Sequence, residues 1–394
     1  MTLRKALFWT HLAAGVTAGI VILILSVTGV LLAFERQVIA WVDRGARSAP
    51  PAGGPGRPSI DAILASIPAR GDASPSAITL RSDPYSPAEV SFGRDQVLLA
   101  DAYTGKPLGE SAPCTRRFFR ATEDLHRWLG AGVAHRAAGR AVTGACNLAF
   151  LVLLISGPIL WLPRRWSWPA LRSVLAFRRG LSGRARDFNW HNVLGIWCVA
   201  PLLVIVLSGV VMSYPWANNF VYRITGTEPP AQGNTPRAEG EARAPGRARG
   251  HRPRAAFDPL WEKAEQQVPG WKSITMRISP SGRGPVNFTI DRGDGGRPDL
   301  RAQLAVNAQT GEVVRWEPFS SYNSGRRVRS WLRFLHTGEA GGLIGQTIAA
   351  VVSAGAAVLV WTGLSLSLRR LLRWRTRAKQ VAVTGGQEHA FTVR

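Results

Sequence analysis

The stretch Ala6–Phe34, ALFWTHLAAGVTAGIVILILSVTGVLLAF, runs for 29 residues without an Asp, Glu, Lys or Arg. A helix rising ~1.5 Å per residue needs about 20 residues to cross a hydrocarbon core of about 30 Å. The stretch therefore predicts a membrane span. Three more segments are equally free of charge: Ala141–Pro163, Phe188–Tyr222 and Ala340–Leu368. Four such segments exclude a soluble globular protein, a disordered chain and a nucleic-acid binder. The net charge of +24, from 49 Lys+Arg against 25 Asp+Glu, would by itself point to nucleic acid. The mean hydropathy is nonetheless zero, because the apolar residues are gathered in the four spans. Cys114, Cys146 and Cys198 form no CxxC or CxxCH, which excludes a zinc knuckle, a disulfide framework and covalently attached haem.

Outward from the spans, charge sets an orientation. Arg4 and Lys5 precede the first span, Glu35 follows it, and no A-x-A cleavage site comes after; this reads as an uncleaved helix with its N-terminus in the cytoplasm. The loop Arg164–Asp187 carries seven Arg and one Asp, and the tail after the last span carries Arg369, Arg370, Arg373, Arg375, Arg377 and Lys379. Short basic loops stay inside, while long domains translocate whatever their charge. The expected order is span 1 over 1–36, an outer unit over 37–125, span 2 with a preceding interfacial segment over 126–164, and a basic inner loop over 165–187. Span 3 follows over 188–222, a linker over 223–256, a second outer unit over 257–335, span 4 over 336–368 and an inner tail over 369–394.

Each outer unit reads as a small α+β domain. A helix at Ile60–Ile67 precedes strands near Ala77–Arg81, Glu89–Phe92 and Val97–Tyr103 and the turn Thr104-Gly105-Lys106. A helix at Pro259–Val268 precedes strands near Ser273–Ile278, Val286–Ile290 and Ala302–Val306 and the turn Thr310-Gly311-Glu312. The segment Glu228–Arg254, rich in Pro, Gly, Ala and Arg, reads as a flexible, solvated linker.

The halves correspond by position. His11 and His191 are 180 residues apart, as are Thr28-Gly29 and Ser208-Gly209. Thr104-Gly105 and Thr310-Gly311 are 206 apart, as are Ser156-Gly157 and Thr362-Gly363. His126 and His336 are 210 apart, each nine residues after an Arg-Arg pair. The fold class expected is thus membrane α-helical: four transmembrane helices in two parallel helix–domain–helix repeats, with the functional site between them. The Ser/Thr-Gly pairs read as small-residue packing positions.

Four of the seven histidines occupy repeat-equivalent positions. His11 and His191 fall near the inner ends of spans 1 and 3; His126 and His336 fall at or just before the outer ends of spans 2 and 4. Ionisable side chains at membrane depth are costly and mark function. Two neutral imidazoles facing each other are the axial ligand set of a six-coordinate b-type haem, so the pattern predicts two bis-His haems. Gly15, Gly195 and Gly130 follow His11, His191 and His126 by four residues, one helical turn on, leaving room for a flat ring. Arg4, Lys5, Arg186, Arg127, Arg329 and Arg333 are candidate propionate partners. A lone His at a helix end reads as an interfacial residue; four paired by face favour ligation. A proton relay would recruit Asp or Glu within the spans, and zinc would need more ligands. His135 stands as an alternative to His126, and His251 and His389 carry no assigned role.

The motifs WTHLAAG, DLHRWLG, NWHNVLGIW with LSGVVMSYPW, and FLHTGEAGG together resemble the PepSY-associated transmembrane family, and the outer units resemble PepSY domains. Within that family the chain is most similar to inner-membrane ferrisiderophore reductases. The resemblance implies two haems, His11 with His191 at the cytoplasmic side and His126 with His336 at the periplasmic side. It also implies a ferric siderophore in the periplasm as acceptor, reduced there to release iron(II), and a bacterial inner-membrane location with both termini cytoplasmic. His126 lies four residues further from Gly139-Arg140 than His336 from Gly345-Gln346, which keeps His135 open. No GxGxxG follows a strand, so the reductant would be a separate cytoplasmic flavin- or NAD(P)H-linked molecule. PepSY domains also occur in contexts that suggest peptidase inhibition or signalling, so a non-enzymatic membrane scaffold or peptidase regulator is the competing reading. A siderophore transporter is weaker, since the spans lack coupling carboxylates.

Overall fold

The computed structural model describes residues 2–51, 59–68, 73–93, 96–161, 167–229, 256–279 and 284–391. Residues 230–255 of the expected linker, with His251, lie outside the described residues, as do Arg164, Arg165 and the side chain of His389. From the N-terminus, α1 (Leu3–Leu32) and α2 (Glu35–Val42) lead to α3 (Ile60–Ser66). Four strands follow, β1 (Ala77–Arg81), β2 (Ala88–Phe92), β3 (Gln96–Ala100) and β4 (Pro107–Glu110), then α4 (Pro113–Trp128) and α5 (Arg136–Trp161). Next come α6 (Trp168–Leu175), α7 (Gly183–Ser213) and α8 (Pro215–Ile224). The same order of elements then returns: α9 (Asp258–Gln267), β5 (Ser273–Arg277), β6 (Pro285–Asp291), β7 (Arg301–Asn307), β8 (Val313–Pro318), α10 (Ser324–His336) and α11 (Gly342–Phe391).

Four helical stretches are long and apolar enough to cross a membrane: Leu3–Leu32, Pro113–Trp161, Gly183–Ser213 and Glu339–Thr376. Left-handed residues at Leu129 and Gly130 break the second, so its apolar part is α5. α1 and α7 each pack on both α5 and α11, which sets α1 and α7 on opposite sides of a four-helix bundle. Large apolar side chains on its outer surface, Ile20, Trp197 and Val351 among them, are exposed, as positions facing lipid are. α7 begins five residues before the uncharged stretch expected for span 3, and so carries Asp187. That carboxylate is buried and accepts from Ser365 Oγ at 2.8 Å and from Arg186, with Arg369 at 3.5 Å. It ties α7 to α11 at the bundle's basic end.

The two outer units, expected as separate domains, share one sheet. Its order is β4-β3-β2-β1-β5-β6-β7-β8, and every neighbouring pair is antiparallel. The joint is β1 against β5, with Ile78 opposite Met276 and Leu80 opposite Ile274. Those four side chains, with Val90, Phe288, Ile290 and Leu304, form a single core under α3 and α9. Full burial of each such side chain contributes roughly 1.5–3 kcal/mol. The helix N-termini lock across the joint: Asp258 Oδ1 accepts from the Ile60 amide at 2.5 Å, and Asp61 Oδ2 accepts from the Phe257 amide at 2.7 Å. β4 and β8 are absent from the sequence reading. They are edge strands carrying Pro107, Gly109 and Pro318, with no buried face, so they lack the alternation that marks a half-buried strand. α4 also runs through the boundary expected at 125/126, so His126 belongs to a helix that starts beside the sheet.

Candidate functional site

The structure brings the four repeat-equivalent histidines together two by two. His11 on α1 and His191 on α7 have ring centres 6.4 Å apart, with planes at 83°. His126 on α4 and His336 on α10 have ring centres 6.4 Å apart as well, with planes at 66°. His135 sits exposed on the short turn Val133–His135, so His126 is the residue that meets His336.

Each ring is oriented by a hydroxyl from a neighbouring helix. Ser156 Oγ lies 2.8 Å from His11 Nδ1, Thr362 Oγ1 3.0 Å from His191 Nδ1, Thr28 Oγ1 2.8 Å from His126 Nδ1, and Ser208 Oγ 3.1 Å from His336 Nδ1. All four hydroxyl residues are at most 3% exposed. A hydroxyl has one hydrogen, and here each donates it to a carbonyl four residues back: Ser156 to Val152, Thr362 to Val358, Thr28 to Ile24 and Ser208 to Val204. The oxygen is left to accept, so Nδ1 carries the proton in each ring. Backbone carbonyls agree. Leu359 accepts from His191 Nδ1 at 3.1 Å and Ile205 from His336 Nδ1 at 2.9 Å, and a carbonyl can only accept. The available nitrogen of every ring is therefore Nε2, present as a lone pair. A neutral imidazole with Nε2 free in this way can serve as a metal ligand.

The glycine after each hydroxyl lies against the ring, most closely at Gly363. A Cβ built on Gly363 would stand 3.3 Å from His191 Cε1, on Gly209 3.5 Å from His336 Cε1, on Gly157 3.7 Å from His11 Cε1, and on Gly29 3.8 Å from His126 Cε1. The hydroxyls of the Ser/Thr-Gly dipeptides, read from sequence as packing positions, thus contact the imidazoles, with the glycines beside the rings. Sequence reasoning missed these eight residues as functional, although their recurrence at the same offsets as the histidines is the signal that finds them.

The His11–His191 pair opens onto a cavity of about 870 Å³ within the bundle, in the upper part of the ~300–1,000 Å³ range of small-molecule sites. Gly15 and Gly195 line it, as expected. The helical spacing expected for Gly130 does not hold. α4 ends at Trp128, and Gly130, at φ 73°, forms the turn that stops it, so it lies on no helical face shared with His126. Close approach is needed instead at Gly139, where a Cβ would run into the Trp128 carbonyl, and between Gly338 and Gly345. These contacts fold α4 onto α5 and α10 onto α11. Arg127 pairs with Glu123 at 2.6 Å and stacks on Trp128, and Arg186 is taken up by Asp187. Among the described residues no group of three or more His, Cys, Asp or Glu is arranged to hold a metal ion, so each site offers two protein ligands.

Residues 8–370 match the family model described as the PepSY-associated TM region. No curated protein matches the chain.

Proposed function

The chain belongs to the PepSY-associated transmembrane family, and we propose that it is a bacterial inner-membrane reductase. In this reading it binds two b-type haems and passes electrons from a separate cytoplasmic flavin- or NAD(P)H-linked donor to a ferric siderophore in the periplasm, releasing iron(II). The observation that carries it is the pair of imidazole couples, each with Nδ1 tied back and Nε2 left over, at 6.4 Å between ring centres. Two rings at that spacing would be placed to hold one metal between them. A site with two protein ligands suits a metal whose other four ligands come from a macrocycle. The cavity around His11 and His191, with Gly15 and Gly195 on its wall, has room for one. The residues around His11 and His191 therefore fit a bis-His haem, and His126 with His336 repeats the same ring spacing.

When bound, haem supplies one-electron transfer, with a potential set by axial ligands, burial and nearby charge. The chain's own residues orient and insulate. His11 and Thr28 are 17 residues apart on α1, as are His191 and Ser208 on α7. At ~1.5 Å per residue this separates the two couples by roughly 25 Å, near the thickness of the hydrocarbon core. Between them Leu154, Leu202, Val206, Val352 and Ala356 pack into a buried apolar cluster that would insulate one couple from the other. No acid or base is required of the protein. The basic residues near the inner ends of the spans support cytoplasmic termini and a periplasmic sheet, and the returning order of elements supports two parallel repeats.

The test is an optical spectrum of the purified full chain after haem-replete expression, with haem counted by pyridine haemochrome. Two bis-imidazole haems per chain are expected. Reoxidation of the reduced protein by a ferric siderophore should release iron(II) to a ferrous chelator. A chain that binds no haem, and whose His191→Ala variant is indistinguishable from it, would instead be the non-enzymatic scaffold.

A further inference from the structure

Three of the four histidines have an arginine seven residues before them on the same helix: Arg4 before His11 on α1, Arg184 before His191 on α7, and Arg329 before His336 on α10. Seven residues are about two turns, so each arginine shares its histidine's face at roughly 10 Å along the axis. Arg4 and Arg184 line the same cavity as His11 and His191; Arg4 already donates from one Nη to the Leu160 carbonyl at 2.7 Å, which anchors it at the cavity wall. On α4 the equivalent position before His126 is Phe119, a buried apolar residue. The nearby Arg116 and Arg120 are occupied by Ser111 and Glu123.

Arg329 is the most informative of the three. It is largely buried between α8 and α10, and its Nε donates to the neutral Asn218 Oδ1 at 3.0 Å. Among the described residues no carboxylate lies within ion-pair distance of it. Burial, with Arg333 close by, holds its guanidinium below its usual range. A partly desolvated cation without a counter-ion is costly, and an anion supplied by a ligand offsets that cost.

We propose that Arg4 and Arg184 at the inner couple, and Arg329 at the outer couple, are the clamps for the carboxylate edge of the group each couple holds. The clamp is two-sided at the inner site and one-sided at the outer. This rests on the haem reading above, whose macrocycle carries its two propionates on one edge. On α1 and α7 the N-terminal direction leads to the basic end of the bundle. On α10 it leads away from α11 toward the sheet. The arginines of each couple would therefore hold the carboxylates at its end away from the middle of the bundle.

The experiment uses the purified full chain and its Arg329→Gln, Arg329→Lys and Arg4→Gln/Arg184→Gln variants. Haem content, the propionate bending modes in resonance Raman spectra and the midpoint potential of each haem are measured for all. Arg329→Gln should change the propionate mode and lower the potential of one haem, or drop haem content from two per chain toward one. Arg329→Lys should restore part of the effect. The inner double variant should do the same to the other haem, and only to that one. Two haems with unchanged modes and potentials in Arg329→Gln would overturn the clamp while leaving the haem reading intact. A parent chain without haem would overturn the haem reading itself, and the clamp with it.

Discussion

The inner and outer histidine couples are built from the same parts in opposite places. At the inner couple the imidazoles stand on the long helices α1 and α7, and the hydroxyls come from Ser156 on α5 and Thr362 on α11. At the outer couple the hydroxyls, Thr28 and Ser208, stand on α1 and α7, and the imidazoles come from the short helices α4 and α10. The inner site is thus a property of the four-helix bundle alone. The outer site exists only where the sheet unit delivers α4 and α10 onto the bundle. One lies in helices stabilised by lipid and by each other; the other depends on a sheet whose halves join at β1 and β5. The two should therefore fail separately.

The largest effect expected is total loss at one couple. His191→Ala should remove the inner haem and His336→Ala the outer, each leaving one bis-imidazole haem per chain in the pyridine haemochrome assay. A variant that loses both would show that the couples are not independent. Next in size is damage aimed at the sheet. Ile274, wholly buried at the β1–β5 joint, changed to Asp would bury an uncompensated charge, at a cost of about 4 kcal/mol or more. The outer haem should be lost and the inner retained. Equal loss of both would break the comparison, because the bundle would then need the sheet in order to fold.

Much of this was legible in the sequence, for reasons that also explain what was not. The spans follow from the absence of charge over a membrane's thickness, and the couples from equal offsets between histidines on successive spans. Strands β1 and β5 are readable because their burial alternates along the strand. Their pairing with each other is not, because it joins Ile78 to Met276 across nearly two hundred residues with no local signal. Gly130 misled because a spacing of four means a shared face only while the helix continues, and Leu129 already has φ 56°. The hydroxyls were hidden because Ser and Thr beside Gly serve helix packing equally well. Only the three-dimensional placement of Nδ1 separates the two uses.

Within the inner couple the two ligands differ in a way that sharpens the comparison further. His191 Nδ1 has both Thr362 Oγ1 and the Leu359 carbonyl, whereas His11 Nδ1 meets Ser156 Oγ alone among the described residues. Removal of an outer-shell partner typically costs 10–100-fold in metal affinity. Ser156→Ala should thus weaken inner-haem retention by about tenfold or more, measured as the rate of haem transfer to an apo-acceptor. Thr362→Val, which leaves the carbonyl in place, should cost less. Equal effects would mean that the carbonyl does not orient His191.

The smallest effect concerns the glycines, and it distinguishes crowding from packing. A Cβ at Gly363 would lie 3.3 Å from His191 Cε1, closer than carbon atoms normally approach, whereas at Gly157 it would lie 3.7 Å from His11 Cε1, an ordinary contact. Neither glycine has a left-handed backbone, so Ala is free of conformational strain at both, and in a helix Ala is favoured by roughly 0.5–1 kcal/mol. Gly157→Ala should therefore leave the spectrum unchanged and raise thermal stability slightly. Gly363→Ala should push His191 off its hydroxyl, shifting the inner haem's potential while the outer one stays fixed. If both substitutions act alike, the glycines serve the approach of the helices rather than the seating of the rings. The hydroxyls, with the Leu359 and Ile205 carbonyls, would then orient the rings without help from the glycines.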